Sequence, residues 1–243
     1  MAAGVETATL AVMRKNTSDS LPPADALPVG RRASVAFRGL SLVLRPLIRA
    51  LFKVRIEGRE NIPASGTYVI AANHLGWLDA FLLLMAFPAE PRVHFLGAVR
   101  GLAARPVQWR IVRTVGGYIP VDMEHRGDRT LYRHVNRCLE LGGAVAIFPE
   151  GCYGEAGAMK PFRKGFAHFA AAAGVPVVPV ALSGTERLWL RREVRVVISS
   201  PIAGQDVDDL VERTRGRLQS MLLRPQPAVP RRRMLERSLT HLL

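Results

Sequence analysis

A chain of 243 residues with 49% hydrophobic content can bury a sizeable core, which excludes global disorder and suits one large domain with short appendages. Lys and Arg number 34 against 20 Asp and Glu, a formal +14, so the partners to expect are anionic: nucleic acid, anionic lipid or a phosphorylated substrate. The two cysteines, Cys138 and Cys152, form no CxxC and have no flanking histidine pair, which argues against a disulfide framework or a zinc site and suits a reducing compartment.

Residues 1–30 combine an unpatterned opening with "NTSDSLPPADALPVG" and read as a disordered leader, without the charged and apolar regions of a secretory signal. Residues 31–56 read differently. Arg31, Arg38, Arg45, Arg49 and Lys53 recur at spacings of seven, seven, four and four. On a helix they fall within about 80° of one another, with Leu40, Val43, Leu44, Leu47, Leu51 and Phe52 covering most of the remaining circumference. Pro46 is expected to divide the segment into two short helices. The uncharged run is far shorter than the ~20 residues a membrane span needs. A pair of interfacial helices lying on an anionic membrane is the expectation, against an ordinary surface helix packed on the core.

Residues 57–223 alternate apolar β-branched runs with helical patterns. Strands are expected at "TYVIAA", "RVHFLGA", "GYIPVD", "AVAIFP", "VPVVPVAL" and "VRVVIS". Helices are expected at "WLDAFLLLMAF", "PVQWRIVRTV", "DRTLYRHVNRCLELG", "FRKGFAHFAAAAG" and "DLVERTRGRLQSMLL", two of them closed by Gly142 and Gly174. The fold class is therefore α/β, a mixed, largely parallel sheet flanked by helices. Residues 224–243 form a basic tail in which Leu235, Leu239 and Leu242 share a helical face behind Arg231–Arg233, either a second membrane anchor or a solvated end.

In such sheets ligands lie beyond the carboxyl ends of strands. Asn73 and His74 follow "TYVIAA", Glu150 and Gly151 follow "AVAIFP", and Asp122 follows "GYIPV", so three strand ends look like one site. On a continuous helix His74 and Asp79 would point apart, so the chain must turn between them, and Gly76 is the residue expected to permit it. Asp79 would then hold one ring nitrogen and make the other a base for a hydroxyl attacking an acyl carbon. No G-x-S-x-G elbow is present, which favours direct transfer over a covalent acyl-enzyme; Cys152 is the weaker, alternative nucleophile. Further on, Lys160, Arg163 and Lys164 precede a helix and read as an anion site or as a solvated basic loop.

Taken together, "NHLGWLD", "GGYIPVD", "FPEG" and "GVPVVPVAL", in this order, resemble the glycerolipid acyltransferase family over about residues 50–200, best known for 1-acyl-glycerol-3-phosphate (lysophosphatidate) acyltransferases. The resemblance implies a membrane-associated enzyme of phospholipid biosynthesis that moves an acyl group from a coenzyme A or carrier-protein thioester to a lysophospholipid hydroxyl, without metal or other cofactor. It implies His74 as catalytic base, Asp79 as its orienting partner, Glu150 and Gly151 on the acceptor side, Pro179 on the acyl-donor side, and an N-terminal membrane-binding element at the cytoplasmic membrane face. Two departures stand out. Met123 occupies the place of the arginine that usually ends "IPVDR", and Cys152-Tyr153 follow "FPEG" where a further arginine is usual. Arg126, Arg129, Lys160 and Arg163 are the nearby cations able to replace that charge, or else the acceptor carries no such phosphate. Leu82 and Leu83 are expected in the core, with an acyl groove as their alternative role. Another lysolipid, amino-lipid or glycolipid acceptor is the second enzymatic expectation. A non-enzymatic basic membrane- or nucleic-acid-binding protein is the third; aromatics at 7% argue against nucleic acid.

Overall fold

The computed structural model describes residues 29–98, 116–121, 129–155, 158–223 and 239–240. Seven strands form one sheet: β1 Lys53–Glu57, β2 Val69–Ala72, β3 Val93–Ala98, β4 Tyr118–Val121, β5 Ala144–Ile147, β6 Val177–Ser183 and β7 Glu193–Ile198. Their order is β1-β7-β6-β2-β5-β3-β4. The five strands from β6 to β4 run parallel; β7 pairs antiparallel with β6 and carries β1 parallel to itself at the edge. Every residue of β2 is buried, as expected for a central strand covered on both faces. Its alternation feeds two cores. Ile70 and Ala72 pack with Leu78, Leu82 and Leu83 on one side, whereas Val69 and Ala71 pack with Val135, Phe166 and Leu210 on the other.

Helices α2 (Leu78–Ala86) and α1 (Val35–Leu51) cover the first face, and α3 (Arg129–Glu140), α4 (Gly165–Ala173) and α5 (Val207–Leu222) belong to the second side. Gly142 and Gly174 follow α3 and α4 with φ of 80° and 63°, the left-handed stops read from the sequence. The leader as far as residue 28, the helix expected over 106–115, Met123 and Arg126 lie outside the described residues.

The N-terminal segment departs from its expectation in three ways. First, α1 is one helix that continues through Pro46. Phe37 and Ile48, buried on either side of the proline, hold its two ends on the core, and the ring lies on the exposed face. Second, Lys53 is not on the helix; residues 53–57 form edge strand β1, where Arg55 and Glu57 are paired with β7, Arg195 with Glu57 at 2.7 and 2.8 Å and Arg55 with Glu193 at 3.1 Å. Third, the arginine stripe is in part a seam between α1 and the domain: Arg38 and Arg45 reach the domain through their side chains, whereas Arg31 and Arg49 are exposed. Arg31 precedes the N-cap Ser34 and accepts from the Arg92 N–H through its carbonyl; Arg38 pairs with Glu90; Arg45 donates to the Leu84 carbonyl. α1 also turns an apolar face outward: Val35, Leu42, Val43 and Leu47 are 86%, 77%, 64% and 49% exposed. Among the described residues no helix is long and apolar enough to cross a membrane.

Two residues of the tail, Leu239 and Thr240, depart from both of its expected roles. Leu239 packs against the core, its carbonyl accepts from Trp77 Nε1 at 2.9 Å, and the Thr240 hydroxyl exchanges hydrogen bonds of 2.8 and 3.2 Å with the Leu188 backbone. At these residues the tail docks inward, beside the catalytic motif. Arg231–Arg233, Leu235 and Leu242 lie outside the described residues.

Candidate active site

Sheet order decides what meets at the site. β2 lies between β5 and β6, both parallel to it, so the turns after these three strands emerge side by side. They deliver His74, Glu150 and Thr185. The end of β4, where Asp122 was expected to join them, is three strands from β2, about 14 Å at ordinary strand spacing. Asp122 itself is outside the described residues, and the third contributor is the turn after β6.

His74 Nδ1 stands 2.9 Å from Asp79 Oδ2. The same oxygen accepts from the N–H groups of Leu75 at 2.6 Å and Gly76 at 2.9 Å, because Asp79 sits in the first turn of α2 and reaches back over the incoming turn. Its second oxygen, Oδ1, accepts from Thr185 Oγ1 at 2.5 Å. Asp79 is wholly buried, and a buried carboxylate is tolerable only when its lone pairs are engaged in this way. Gly76 serves differently from its expected role. Its φ is not in the left-handed region; instead a Cβ there would lie 2.8 Å from the Thr185 carbonyl, so glycine is required by close approach of the β6 turn.

The His74 side chain is 19% exposed. Its ring stacks on Phe148 with centroids 3.8 Å apart, and the Tyr153 ring meets it edge-on at 4.5 Å. With Nδ1 turned to the carboxylate, Nε2 is the nitrogen available as a base. Asn73 anchors the turn from behind: its side-chain amide donates to the Leu182 carbonyl at 2.9 Å and accepts from the Leu182 N–H at 2.7 Å, taking the place of another rung between β2 and β6.

Glu150 is 5% exposed. One oxygen accepts from the His74 backbone N–H at 3.2 Å and the other from the Lys160 N–H at 2.9 Å, so the carboxylate binds the 150–160 loop to the catalytic turn. The Gly154 N–H donates to the His74 carbonyl at 2.6 Å and closes the same contact. Gly151 has φ 71°, and a Cβ on it would lie 2.8 Å from Arg163 Nε. Arg163 and Lys160 are exposed around this loop; Lys160 Nζ donates to the Tyr153 carbonyl at 2.7 Å and lies 3.4 Å from Cys152 Sγ. Lys164 is directed to Asp208 at 2.6 Å. Pro179 is buried in β6, level with Ala71, just beyond the last β6–β7 rung at Val180 and Ile198. There its carbonyl still accepts from the Ser199 N–H at 2.9 Å, a one-sided contact that asks no N–H of the proline. Leu82 and Leu83 are fully buried and belong to the core.

A cavity of about 240 Å³ opens between α1, α2 and the β3–β4 edge, lined by Phe37, Leu40, Leu44, Phe81, Leu84 and Phe95 among others. Phe95 is 6.5 Å from Phe148, the ring on which His74 stacks, so an aromatic wall connects the cavity to the base. Among the described residues no group of three or more His, Cys, Asp or Glu side chains could hold a metal ion.

Several contributors had no local signal. Thr185 lies 106 residues from its carboxylate partner, and the engagement of both Glu150 oxygens by backbone follows only from the sheet order. Tyr153 was read from the sequence only as a missing arginine, and the fold sets its ring against His74.

The fold overlays the crystal structure of the 1-acyl-sn-glycerophosphate acyltransferase PlsC from Thermotoga maritima with a TM-score of 0.65, over 79% of this chain and 81% of that one, at 21% identity. The chain is 33% identical over 184 residues to the chloroplastic 1-acyl-sn-glycerol-3-phosphate acyltransferase BAT2 of Brassica napus, covering 70% of this chain and 51% of that protein. It is 28% identical over 180 residues to the human 1-acyl-sn-glycerol-3-phosphate acyltransferase alpha, covering 67% and 61%. The chain spans about half the length of the plant chloroplast relatives it matches. The family model described as Acyltransferase matches residues 53–183, from the first residue of β1 to the last of β6, so that the His74–Asp79 pair, the Glu150 loop and the β6 strand all fall within it, and the chain belongs to the acyltransferase family.

Proposed function

We propose that the protein transfers a fatty acyl group from a thioester to the free hydroxyl of a lysophospholipid, 1-acyl-glycerol-3-phosphate being the leading acceptor. The buried His74–Asp79 pair at the carboxyl end of β2, between a basic loop and an apolar cavity, carries this reading. The names of the Brassica napus and human relatives supply the acceptor class. A protein that only bound anionic surfaces would have no use for a carboxylate buried behind a partly exposed imidazole.

In the reaction, His74 Nε2 takes the proton of the acceptor hydroxyl, and the oxygen attacks the thioester carbonyl carbon. The tetrahedral intermediate collapses by breaking the C–S bond, and the imidazolium returns its proton to the departing thiolate. Asp79 stays ionised throughout, keeps Nδ1 as the protonated nitrogen and stabilises the transient positive charge. The acyl chain lies along the Phe148–Phe95 wall into the cavity under α1. Lys160 and Arg163 flank the acceptor phosphate, with Arg126, four residues after Asp122, as a further cation. Pro179 contributes to the donor side through the shape of the sheet. No cofactor takes part beyond the coenzyme A or carrier-protein thioester.

The outward apolar face of α1 lies in the acyl boundary of a membrane with Arg49 at its edge, which brings a lipid acceptor to the site without a spanning segment. Two unbridged cysteines suit the cytoplasmic face. One observation favours a second acceptor: Tyr153, 55% exposed and set against His74, stands where the family resemblance expects arginine. A lysolipid with an uncharged headgroup would suit that surface.

The deciding experiment measures thiol release from a long-chain acyl-coenzyme A by the purified protein on anionic vesicles, with phosphate-headed and other lysolipids, beside His74→Ala. Release that requires lysophosphatidate and disappears in His74→Ala is expected. Release only with an uncharged acceptor selects the second reading, and equal turnover by His74→Ala overturns both.

A further inference from the structure

Asp79 has two oxygens to satisfy in a fully buried place. Local chain supplies everything for Oδ2: His74 Nδ1 and the N–H groups of Leu75 and Gly76. Nothing local reaches Oδ1. Its donor is the hydroxyl of Thr185, 2.5 Å away, on a residue only 1% exposed.

The position of that hydroxyl is built from several sides. β6 ends at Ser183, and Gly184 turns the chain with φ 86°, where a Cβ would lie 2.4 Å from the Glu193 carbonyl. Thr185 then presses its own carbonyl over Gly76 while its side chain reaches Asp79, so it grips the catalytic turn at two points. Beyond it, Glu186 pairs with Arg192 at 2.8 Å, and Leu188 is tied to Thr240. Arg191 donates its backbone N–H to the Leu51 carbonyl at the end of α1. The loop carrying Thr185 is therefore fixed at both ends and in its middle.

An ionised carboxylate accepts only, and a threonine hydroxyl has one proton to give. Resting on the acyl-transfer reading above, we propose that Thr185 is a positioning residue of the reaction: its hydroxyl fixes the rotation of the Asp79 carboxylate so that Oδ2 faces His74 Nδ1, and keeps the carboxylate a hydrogen-bond acceptor while His74 carries the transferred proton. Without that hydroxyl, Oδ1 is buried and unsatisfied, and the carboxylate lowers its energy by rotating away from the imidazole or by binding a proton itself. Either change weakens the tautomer that leaves Nε2 free. Neither alters the basic loop or the cavity, so substrate binding is untouched.

Thr185→Val keeps the shape of the side chain and removes the hydroxyl; Thr185→Ser keeps the hydroxyl. The valine variant is expected to lose about 10- to 100-fold in kcat, the cost of one unsatisfied buried acceptor, with KM for acceptor and thioester within about threefold of the parent. Serine is expected to restore kcat. Placed on an Asp79→Asn background, Thr185→Val is expected to cause no comparable further loss, because its partner carboxylate is already gone. A merely structural role would lower activity on both backgrounds and would not be rescued by serine alone. A second readout needs no turnover: the Nδ1–H proton resonance of His74, followed by NMR in ring-labelled protein, is expected to move or broaden in the valine variant and to return with serine. Unchanged kcat and an unchanged His74 resonance in folded Thr185→Val overturn the proposal. Absence of thioester activity in the parent overturns the functional reading instead, and the resonance then decides the role of Thr185. If the valine variant does not fold, Thr185→Ala is carried through the same measurements.

Discussion

The turn at residues 73–79 and the loop at residues 150–163 meet at one imidazole and are built on opposite principles. The turn is held by buried groups that each have an assigned partner: Asn73 on Leu182, Asp79 on four donors, Gly76 under the Thr185 carbonyl. Among its described residues the loop has a buried post, Glu150, rests Met159 and Phe162 against the core, and presents Cys152, Tyr153, Lys160 and Arg163 to solvent. Proton transfer tolerates little error in geometry, so the turn is over-determined by chains that arrive from β2, β6 and α2. Recognition of a headgroup at the surface tolerates side-chain motion, and an exposed loop on a fixed stem can change its residues without disturbing the base. That contrast explains how Tyr153 can stand on the loop, where the family resemblance expects an arginine, while the His74–Asp79 geometry stays complete.

The strongest way to break the comparison is Asp79→Asn. The amide lacks the negative charge that steadies the imidazolium, and an NH₂ turned to the His74 side meets the Leu75 and Gly76 N–H donors, whereas the Thr185 hydroxyl on the other side can accept. It also favours the wrong imidazole tautomer. A fall in kcat of about 10²- to 10⁴-fold is expected, with KM little changed, because the loss is of the base and not of a binding group. Steady-state kinetics on vesicles measure this, and a variant that mainly raised KM would show that the turn also recognises acceptor.

A smaller and opposite effect is expected from Lys160→Ala combined with Arg163→Ala. These cations surround the loop, and Lys160 also ties down the Tyr153 carbonyl. Losing charge-assisted contacts to a phosphate should raise KM for lysophosphatidate about 10-fold or more while leaving kcat within about threefold. A lysolipid without phosphate should show no such change. If kcat fell as far as in Asp79→Asn, the two regions would be one machine and the division drawn here would fail.

The division also accounts for what was legible in the sequence. Strands β2 to β7, the two glycine stops and the His74–Asp79 pair follow from short-range patterns: apolar runs, φ > 0 at a helix end, and a polar pair after a strand. β1 was overlooked because Lys53 fits the arithmetic of a helical stripe; yet Lys53, Arg55 and Glu57 alternate with Val54 and Ile56, a period of two that marks an edge strand. Pro46 misled because a proline breaks an isolated helix, whereas here packing at Phe37 and Ile48 holds both ends. The stripe itself was read as facing lipid headgroups, but at Arg38 and Arg45 it binds Glu90 and the end of α2. Thr185 and the inward docking of Leu239 and Thr240 belong to a different class. They depend on which strands become neighbours, and no window of sequence contains both partners of a contact 106 residues apart.

The finest test uses the two cysteines as reporters of the same contrast. Cys138 is buried in α3, and burial pushes its thiol up to about 12, despite the nearby Arg92 charge and the Gly30 backbone contact that act the other way. Since the thiolate is the reactive form, Cys138 is expected to stay inert toward iodoacetamide at pH 8 in the folded protein. Cys152 is exposed on the loop, with Lys160 Nζ 3.4 Å from its sulfur. It should be alkylated at least about tenfold faster than Cys138, as peptide mass spectrometry of a time course would register. The sign of the Cys138 shift sets a second expectation. Its proton is retained when folded and lost when unfolded once pH exceeds the ordinary thiol value, so its contribution to stability is complete below about pH 8.5 and is lost as pH rises toward 12. Alkylation of Cys138 should therefore appear only together with unfolding at high pH. If headgroup recognition belongs to the loop, lysophosphatidate should slow alkylation of Cys152 and leave Cys138 unlabelled at pH 8. Protection of Cys152 by the thioester donor alone would assign the loop to the other substrate and exchange the roles of the two sides of His74.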